Sequence, residues 1–550
     1  MEEATLVGPG WTAGSGVAVR GRAFDGRDRE ADLRSVFEGL GSLREVAETA
    51  DRLGGFFAAV VDVGDAVVLA CDHAGSIPLY FTSEDPLRVG DCVSGFPGLA
   101  TEEFDPVAAS EFALTRYVTR GETLLPAVRS VRAGEAVRVP REDPAGFERR
   151  RYARYRPTNR SDGDREDLLD RMGDVLGRVF DRAESLAGGR PVAVPLSGGV
   201  DSRLVATMLV ERGVEVVAFS FGVHGHADVE VARDVADALG IRFEAVEYST
   251  DRWHDWYHSA DRRAYSSFAF DYDSLPFLAE WPAVRELLAD GRLPRDALVL
   301  PGHTVATPSE RVPAAWTDGT PDREDVVEYV LDRHYSLWEW DDPAFRSDFA
   351  DRIAADADLG PVASGPEAAA AYEGWEWTTR MATFTNSDAR VYDWFDLEWW
   401  LPLWDPEYVA FWASVPLDHR RGKALQTEFA TRKYAAVAGV DHEEAERTDA
   451  DWTPFDQVRR TQRTDPVRAA TGDFDDWLGA QSVPRSRWEE WGNYPLGWYG
   501  AIPEAAADRF AAAPTLYSLR TLSALGLLSF DPPAVTDPPL SSTVELPPTE

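Results

Sequence analysis

Lysine is almost missing from this chain. Of 550 residues and 56 basic side chains, only Lys423 and Lys433 are lysines; the other basic residues are arginines. Against them stand 95 acidic residues, for a formal net charge of −39. The acids are dispersed, as in "DGDREDLLDRMGDV" (162–175), and no basic stripe exists, which argues against binding a nucleic-acid backbone. A dispersed acidic surface fits a halophilic protein kept soluble by self-repulsion that salt screens. Cysteine is equally scarce. Cys71 and Cys92 cannot build a disulfide framework or a zinc site alone, and read as small buried apolar residues in a reducing compartment. No run of 18 apolar residues occurs, so no membrane span is expected. The start "MEEATLVGPGW" has neither a basic nor an apolar leader region, so a cytoplasmic location is expected. Homo-oligomerisation is left open.

What is present is enough for several well-packed domains: 44% hydrophobic and 11% aromatic residues over a length that predicts two to four of them. The first part reads as strands and turns. "GGFFAAVVDVGDAVVLACD" (54–72) is two apolar strands around a turn, and "EAVRVP" (135–140) a further strand. "NRSDGDRED" (159–167) reads as a linker. The pattern then changes to alternation. A helix at 168–187 is followed by strands at 191–196, 214–222 and 243–248, with helices at 201–213 and 228–240 between them. That order predicts a doubly wound parallel sheet, with "DALVLPG" (296–302) as one more core strand. Residues 310–420 are rich in Trp and predict helices, their indoles serving as packing. The tail "DPPAVTDPPLSSTVELPPTE" (531–550) is polar and Pro-rich and predicts disorder.

One stretch carries chemistry: "AVPLSGGVDSR" (193–203), a buried strand, a Ser-Gly-Gly turn and a helix start. Glycines let successive backbone N–H groups face one concavity, and the helix adds its positive end. Ser197 and Ser202 add hydroxyls, and Asp201 could hold a magnesium ion that phosphates bridge. No GxxxxGK[ST] is present, so this is not a Walker A loop. The bland alternative is a tight turn with a serine cap.

"VPLSGGVDSR" resembles the pyrophosphate loop (PP-loop) of the asparagine synthetase-type ATP pyrophosphatases. Further segments are similar to that family: "GGFFAAVVDVGDAVVLACDHAGSIPLYFT" (54–82), "TRGETLLPAVRSVRAGEAVRV" (119–139), "SFGVHGHADVEVARDVADALG" (220–240) with its acid Asp228, "LEWWLPLWDPEYVAFWASVP" (397–416) and "KALQTEF" (423–429). The resemblance implies an α/β chain in two parts. Residues 1–158 would form a glutaminase-like (amidotransferase-like) αββα sandwich of Ntn-hydrolase type. Residues 165–530 would form a PP-loop synthetase domain with a helical C-terminal extension. It implies ATP and Mg2+ as cofactors, and adenylation of a small-molecule carboxylate followed by acyl transfer to ammonia or an amine. Leu196, Ser197, Gly198, Gly199, Asp201, Ser202, Ser220 and Gly302 would face the nucleotide, with Asp201 on the metal.

The departures from the family matter as much. Its glutaminases use an N-terminal cysteine, whereas position 2 here is Glu, and the segments that hold glutamine are unrecognisable. The first domain would then release no ammonia, as in the β-lactam synthetases and lasso-peptide cyclases. The family's acidic "GEGSDE" loop is replaced by "PGHTVATPSER" (301–311), where Glu310 is the nearest acid. His303 there is a phosphate contact or acid–base group, or a plain loop histidine. The family's R-x-K becomes Arg447 followed by Asp449. Lys423, retained where arginine has replaced nearly every lysine, is expected to face phosphate. Glu398 and Asp405 are expected to partner arginines. The leading expectation is an ATP-dependent ligase with Lys423 and His303 as catalytic groups; the alternative is a nucleotide-binding sensor or scaffold without turnover.

Overall fold

The apolar hairpin of the first part is built as its pattern demands. In a computed structural model, which describes residues 8, 10–26, 29–99, 104–335 and 343–448, strand Leu53–Asp62 pairs antiparallel with Ala66–Cys71. They lie in the middle of a seven-stranded antiparallel sheet, flanked by Val17–Asp25 on one side and Glu135–Pro140 on the other. Both faces are covered, which is why these strands read as continuous apolar runs rather than alternating ones. Helices Leu33–Phe37 and Leu43–Arg52 cover one face through Phe37, Val46 and Ala50. The other face packs on Leu79 and on Phe81 and Val89 of a small second sheet made of Tyr80–Thr82, Val89–Gly90 and Val128–Ser130. Cys71 and Cys92 are buried free thiols, and burial pushes both thiols up, Cys92 to about 12.

The second part begins at helix Arg165–Ala187. Asp164 and Asp167 form a reciprocal capping box at its start, a local stop signal that separates it from the irregular chain before it. A four-stranded, wholly parallel sheet follows, in the order Arg242–Tyr248, Val216–Val223, Val192–Pro195, Leu298–Val299. Helices Arg165–Ala187, Val200–Glu211, Ala227–Leu239 and Ala424–Ala438 contribute to the core on one face, and Ala260–Phe270 and Trp281–Ala289 to that on the other. The sheet is therefore doubly wound. Its winding reverses between Val192–Pro195 and Leu298–Val299, and the cleft beyond the carboxyl ends of those two strands is where such sheets take ligands.

Most of 310–420 is helical, and its tryptophans pack: Trp375, Trp404 and Trp412 are each at most 1% exposed. Glu398 pairs with Arg22 and Arg190 at 2.8 Å each, and Asp405 with Arg182 at 2.8 Å. The two parts share one apolar core, in which Phe24 and Phe56 of the first meet Trp400 of the second. No helix among the described residues is long and apolar enough to cross a membrane. Asp449, the tail 531–550 and the end of the expected synthetase domain at 530 lie outside the described residues.

Candidate active site

Strand Val192–Pro195 delivers Leu196 and Ser197 to the switch point, and helix Val200–Glu211 leaves from it with Gly199 as its N-cap. Gly199 has no side chain to cap the helix, so nothing of its own answers the first N–H groups. The loop is stitched internally instead. Ser197 N donates to Ser202 Oγ at 3.1 Å, Gly199 N to Ser197 Oγ at 3.3 Å, and Gly198 N to Asp228 Oδ1 at 3.3 Å. The last two sit at the long end of the hydrogen-bond range and are readily exchanged for a stronger acceptor.

The two glycines of the turn need no left-handed backbone. Gly199 lies at φ −78° and ψ 166°, and Gly198 is not among the residues with positive φ, so neither is there to reach left-handed backbone. The steric demand falls on Gly302. A Cβ there would lie 2.6 Å from Ser202 N and 2.8 Å from Ser202 Cα. The loop after Leu298–Val299 thus lies directly against the first turn of the helix.

The cavity in front of the loop measures about 350 Å3. Leu196, Ser197, Gly199, Asp201, Ser202, Ser220, Gly302 and His303 all line it, as do Asp228, Glu280, Asp388 and Tyr392. Gly198 joins through its bond to Asp228, and Lys423 through Asp201. All ten residues singled out in the sequence therefore gather in one place, although 226 positions of chain separate Ser197 from Lys423.

Lys423 Nζ lies 3.0 Å from Asp201 Oδ2 and 3.2 Å from Glu310 Oε2. Burial opposes its charge, but the two carboxylates outweigh burial and hold the ammonium above its usual pKa. Gln426, three residues on and so on the same helix face, donates to Asp201 Oδ1 at 2.5 Å. Its own carbonyl accepts from Thr304 and Tyr408. Both oxygens of Asp201 are thus taken by nitrogen donors. No three His, Cys, Asp or Glu side chains gather into a metal-holding group among the described residues. Each oxygen of Asp201 keeps a lone pair beyond the one its donor uses, so the carboxylate can still take a cation beside Lys423 and Gln426.

Across the cavity, His303 Nε2 lies 3.4 Å from Asp388 Oδ2, and its Nδ1 is buried without a partner. Burial disfavours the charged ring, yet Asp388 and Glu280 outweigh it and His303 keeps its proton above its ordinary range. Burial pushes Glu280 up to about 7 against the hydrogen bond that Tyr392 donates at 2.9 Å. His303 is therefore no isolated loop histidine. Glu280, Asp388 and Tyr392 carried no motif in the sequence. Gln426 carried a signal, its spacing from Lys423.

Arg203, the last residue of the quoted stretch, is structural. Its guanidinium donates to the carbonyls of Gly198, Ala445 and Arg447, tying the loop to the end of the described chain. Lys433 pairs with Glu211 at 2.5 Å, away from this cluster.

The asparagine synthase family model matches residues 179–278, the segment that holds the loop and the first three strands of the parallel sheet. Residues 179–278 are thus similar to the asparagine synthase family. Curated relatives match over part of their length. A protein named "Putative asparagine synthetase (glutamine-hydrolyzing)" from Mycobacterium bovis is 27% identical over 157 residues, 28% of this chain and 23% of its own length. The bifunctional protein NifU/MnmA of Rubrobacter xylanophilus is 38% identical over 86 residues, 14% of this chain and 18% of its own. The tRNA-specific 2-thiouridylase MnmA of Parvibaculum lavamentivorans is 30% identical over 142 residues, 22% of this chain and 34% of its own. The chain thus spans about a fifth to a third of the length of these relatives.

Proposed function

We propose that this chain is an ATP-dependent, AMP-forming carbon–nitrogen ligase: it adenylates a small-molecule carboxylate and passes the acyl group to ammonia or an amine. The observation that carries the reading is the side-chain-free helix start at Gly199, opening into the cavity at the switch point of the sheet. The phosphate chain of ATP takes the place of Asp228 and Ser197 as acceptor from the Gly198 and Gly199 N–H groups, and the helix end favours its charge. Attack of the carboxylate on the α-phosphorus expels pyrophosphate towards Ser197–Ser202. The Lys423 ammonium offsets the charge that develops there. On the opposite wall His303, held in its protonated form by Asp388, is placed to contact a phosphate oxygen or to act as an acid.

The first part is proposed to be an Ntn-type glutaminase relative without its nucleophile. Its helix–sheet–sheet layering supports that reading, and both cysteines are buried, Cys71 within an apolar core. Nitrogen then comes from free ammonia or from an amine substrate. We place residues 1–158 and 165–530 as the two domains, in a cytoplasmic protein with small-molecule partners, neither nucleic acid nor membrane among them. The dispersed acidity supports a halophilic setting. The test is ATP–pyrophosphate exchange in molar potassium chloride, screened over amino acids and sugar acids. Exchange with any of them supports the ligase; tight ATP binding with no exchange under any condition leaves the sensor or scaffold reading in its place.

A further inference from the structure

We infer that the junction between the two parts carries a second small-molecule site: a pocket for a phosphate group, free or on a small molecule, held by Arg151, Arg154 and Arg156. None of these residues lines the cavity in front of Ser197–Ser202, so the inference stands apart from the ligase reading.

The pocket measures about 110 Å3. It lies where strand Glu148–Arg151 runs out into the segment that joins the two parts, against the end of helix Pro343–Asp356 and against helix Gly365–Glu376. The joining segment is fixed in place. Tyr155 is buried and stacks on Trp377 with ring centroids 4.9 Å apart, and a Cβ at Gly374 would come within 2.9 Å of the Tyr155 carbonyl oxygen. Exposure alternates from Arg154 to Thr158, so Arg154 and Arg156 reach solvent on the side away from the Tyr155 ring, and both line the pocket.

These guanidiniums are short of counter-charge. Among the described residues Arg151 makes one hydrogen bond, from Nη2 to the Thr378 hydroxyl at 2.7 Å, and no ion pair; its Nε is buried without a partner. A guanidinium has five N–H donors, so most of this one is unanswered. Burial and the neighbouring charges of Arg132 and Arg154 push Arg151 down to about 10. Arg156 forms neither a hydrogen bond nor an ion pair among the described residues. The acids on the same wall are engaged: Asp356 with Arg132 at 2.9 Å, Asp358 with Arg154 at 2.6 Å, and Glu367 with the Ala363 N–H at 2.9 Å. In a chain with 95 acids to 56 bases, two arginines without a carboxylate at one cavity are not explained by a shortage of acids. Two such charges match a dianion, and phosphate brings a charge near −2 with oxygens that planar guanidinium forks bind in pairs. Asp358 is 67% exposed and can turn to solvent, which frees Arg154 as a third donor.

The test is calorimetric titration of the full chain, in molar potassium chloride, with inorganic phosphate and separately with glycerol 3-phosphate. Wild type should bind at least one of them with a dissociation constant of about 1 mM or tighter, and the preferred probe tells whether the pocket takes free or esterified phosphate. Arg151→Met should weaken that binding by about tenfold or more, through the loss of charge-assisted bonds in a half-buried site, and Arg156→Gln by about threefold or more. Removing Arg151 strands no carboxylate, so Arg151→Met should melt no lower than wild type; if it does not fold, Arg156→Gln, at an exposed position, decides. No saturation by either probe up to about 20 mM overturns the inference. Binding that neither variant weakens overturns it as well, because phosphate held at Ser197–Ser202 would behave in that way. The ligase reading survives both results.

Discussion

Gly302→Ala is the sharpest probe of how the loop is held. The added methyl carbon would lie 2.6 Å from Ser202 N, 2.8 Å from Ser202 Cα and 3.0 Å from Ser202 Cβ. Two of these are backbone atoms in the first turn of the Val200–Glu211 helix, so no rotamer change relieves the clash. Either the 301–304 loop or the helix start must shift by about half an ångström or more, at a cost of about 1–3 kcal/mol. The displaced atoms are those that position the loop's donors, so stability and ATP affinity should fall together. A misplacement of that size should weaken ATP by about tenfold, which is about 1.4 kcal/mol. The assay is thermal unfolding beside titration with ATP, with Gly360→Ala as control, since a Cβ at Gly360 meets nothing within 4 Å. The variant should melt several degrees below wild type, and the control should not. A Gly302→Ala protein that melts and binds ATP like wild type would refute the close-approach argument.

Three further outcomes follow from the same geometry. Glu280 is pushed up to about 7 in the fold from 4.5, so its stabilising share is present at low pH and lost as pH rises between those values. Glu280→Gln, which still accepts from Tyr392, should therefore leave stability unchanged at pH 4.5 and raise it by about 3 kcal/mol above pH 8, measured by denaturant titration; equal pH profiles would count against it. Arg420 and Glu373 are both 0% exposed and 2.8 Å apart, so Arg420→Met strands a buried carboxylate and should cost about 3–5 kcal/mol in the same assay, where a loss below about 1 kcal/mol would contradict the pairing. The formal charge of −39 predicts an unfolding midpoint that climbs as potassium chloride shortens the screening length from about 10 Å at 0.1 M to about 3 Å at 1 M; a flat or falling midpoint would remove the halophilic reading.

What could be read from the sequence was local. The Ser197–Ser202 turn is contiguous, and its strand and helix announce themselves by apolar runs of eight residues or fewer beside a glycine pair, so the loop stood out at once. The hairpin at 53–71 was legible for a similar reason: sheets buried on both faces leave unbroken apolar stretches. The second sheet of the first part was not legible. Its strands Tyr80–Thr82 and Val89–Gly90 are three and two residues long, too short to carry a period. The opposite wall of the cavity escaped for another reason. Glu280, Asp388 and Tyr392, which join His303 there, come from two distant segments, and their shared burial, not their spacing, makes them part of the site. Gly302 was noticed as a turn, but its close approach to Ser202 needs two loops in register, which no single stretch records.

Arg203 changes what counts as the smallest working piece of this molecule. The stretch that kinship marks out ends at residue 278, yet the guanidinium that braces its turn finds two of its three acceptors at Ala445 and Arg447. Gly302, His303, Asp388, Lys423 and Gln426 are all supplied from beyond that border as well. What was inherited as a recognisable segment and what must fold together are thus different lengths of chain. A fragment cut at 278 would retain the signature and lose its scaffolding, and any attempt to transplant the turn into another protein has to carry the partners of residues 302–447 with it.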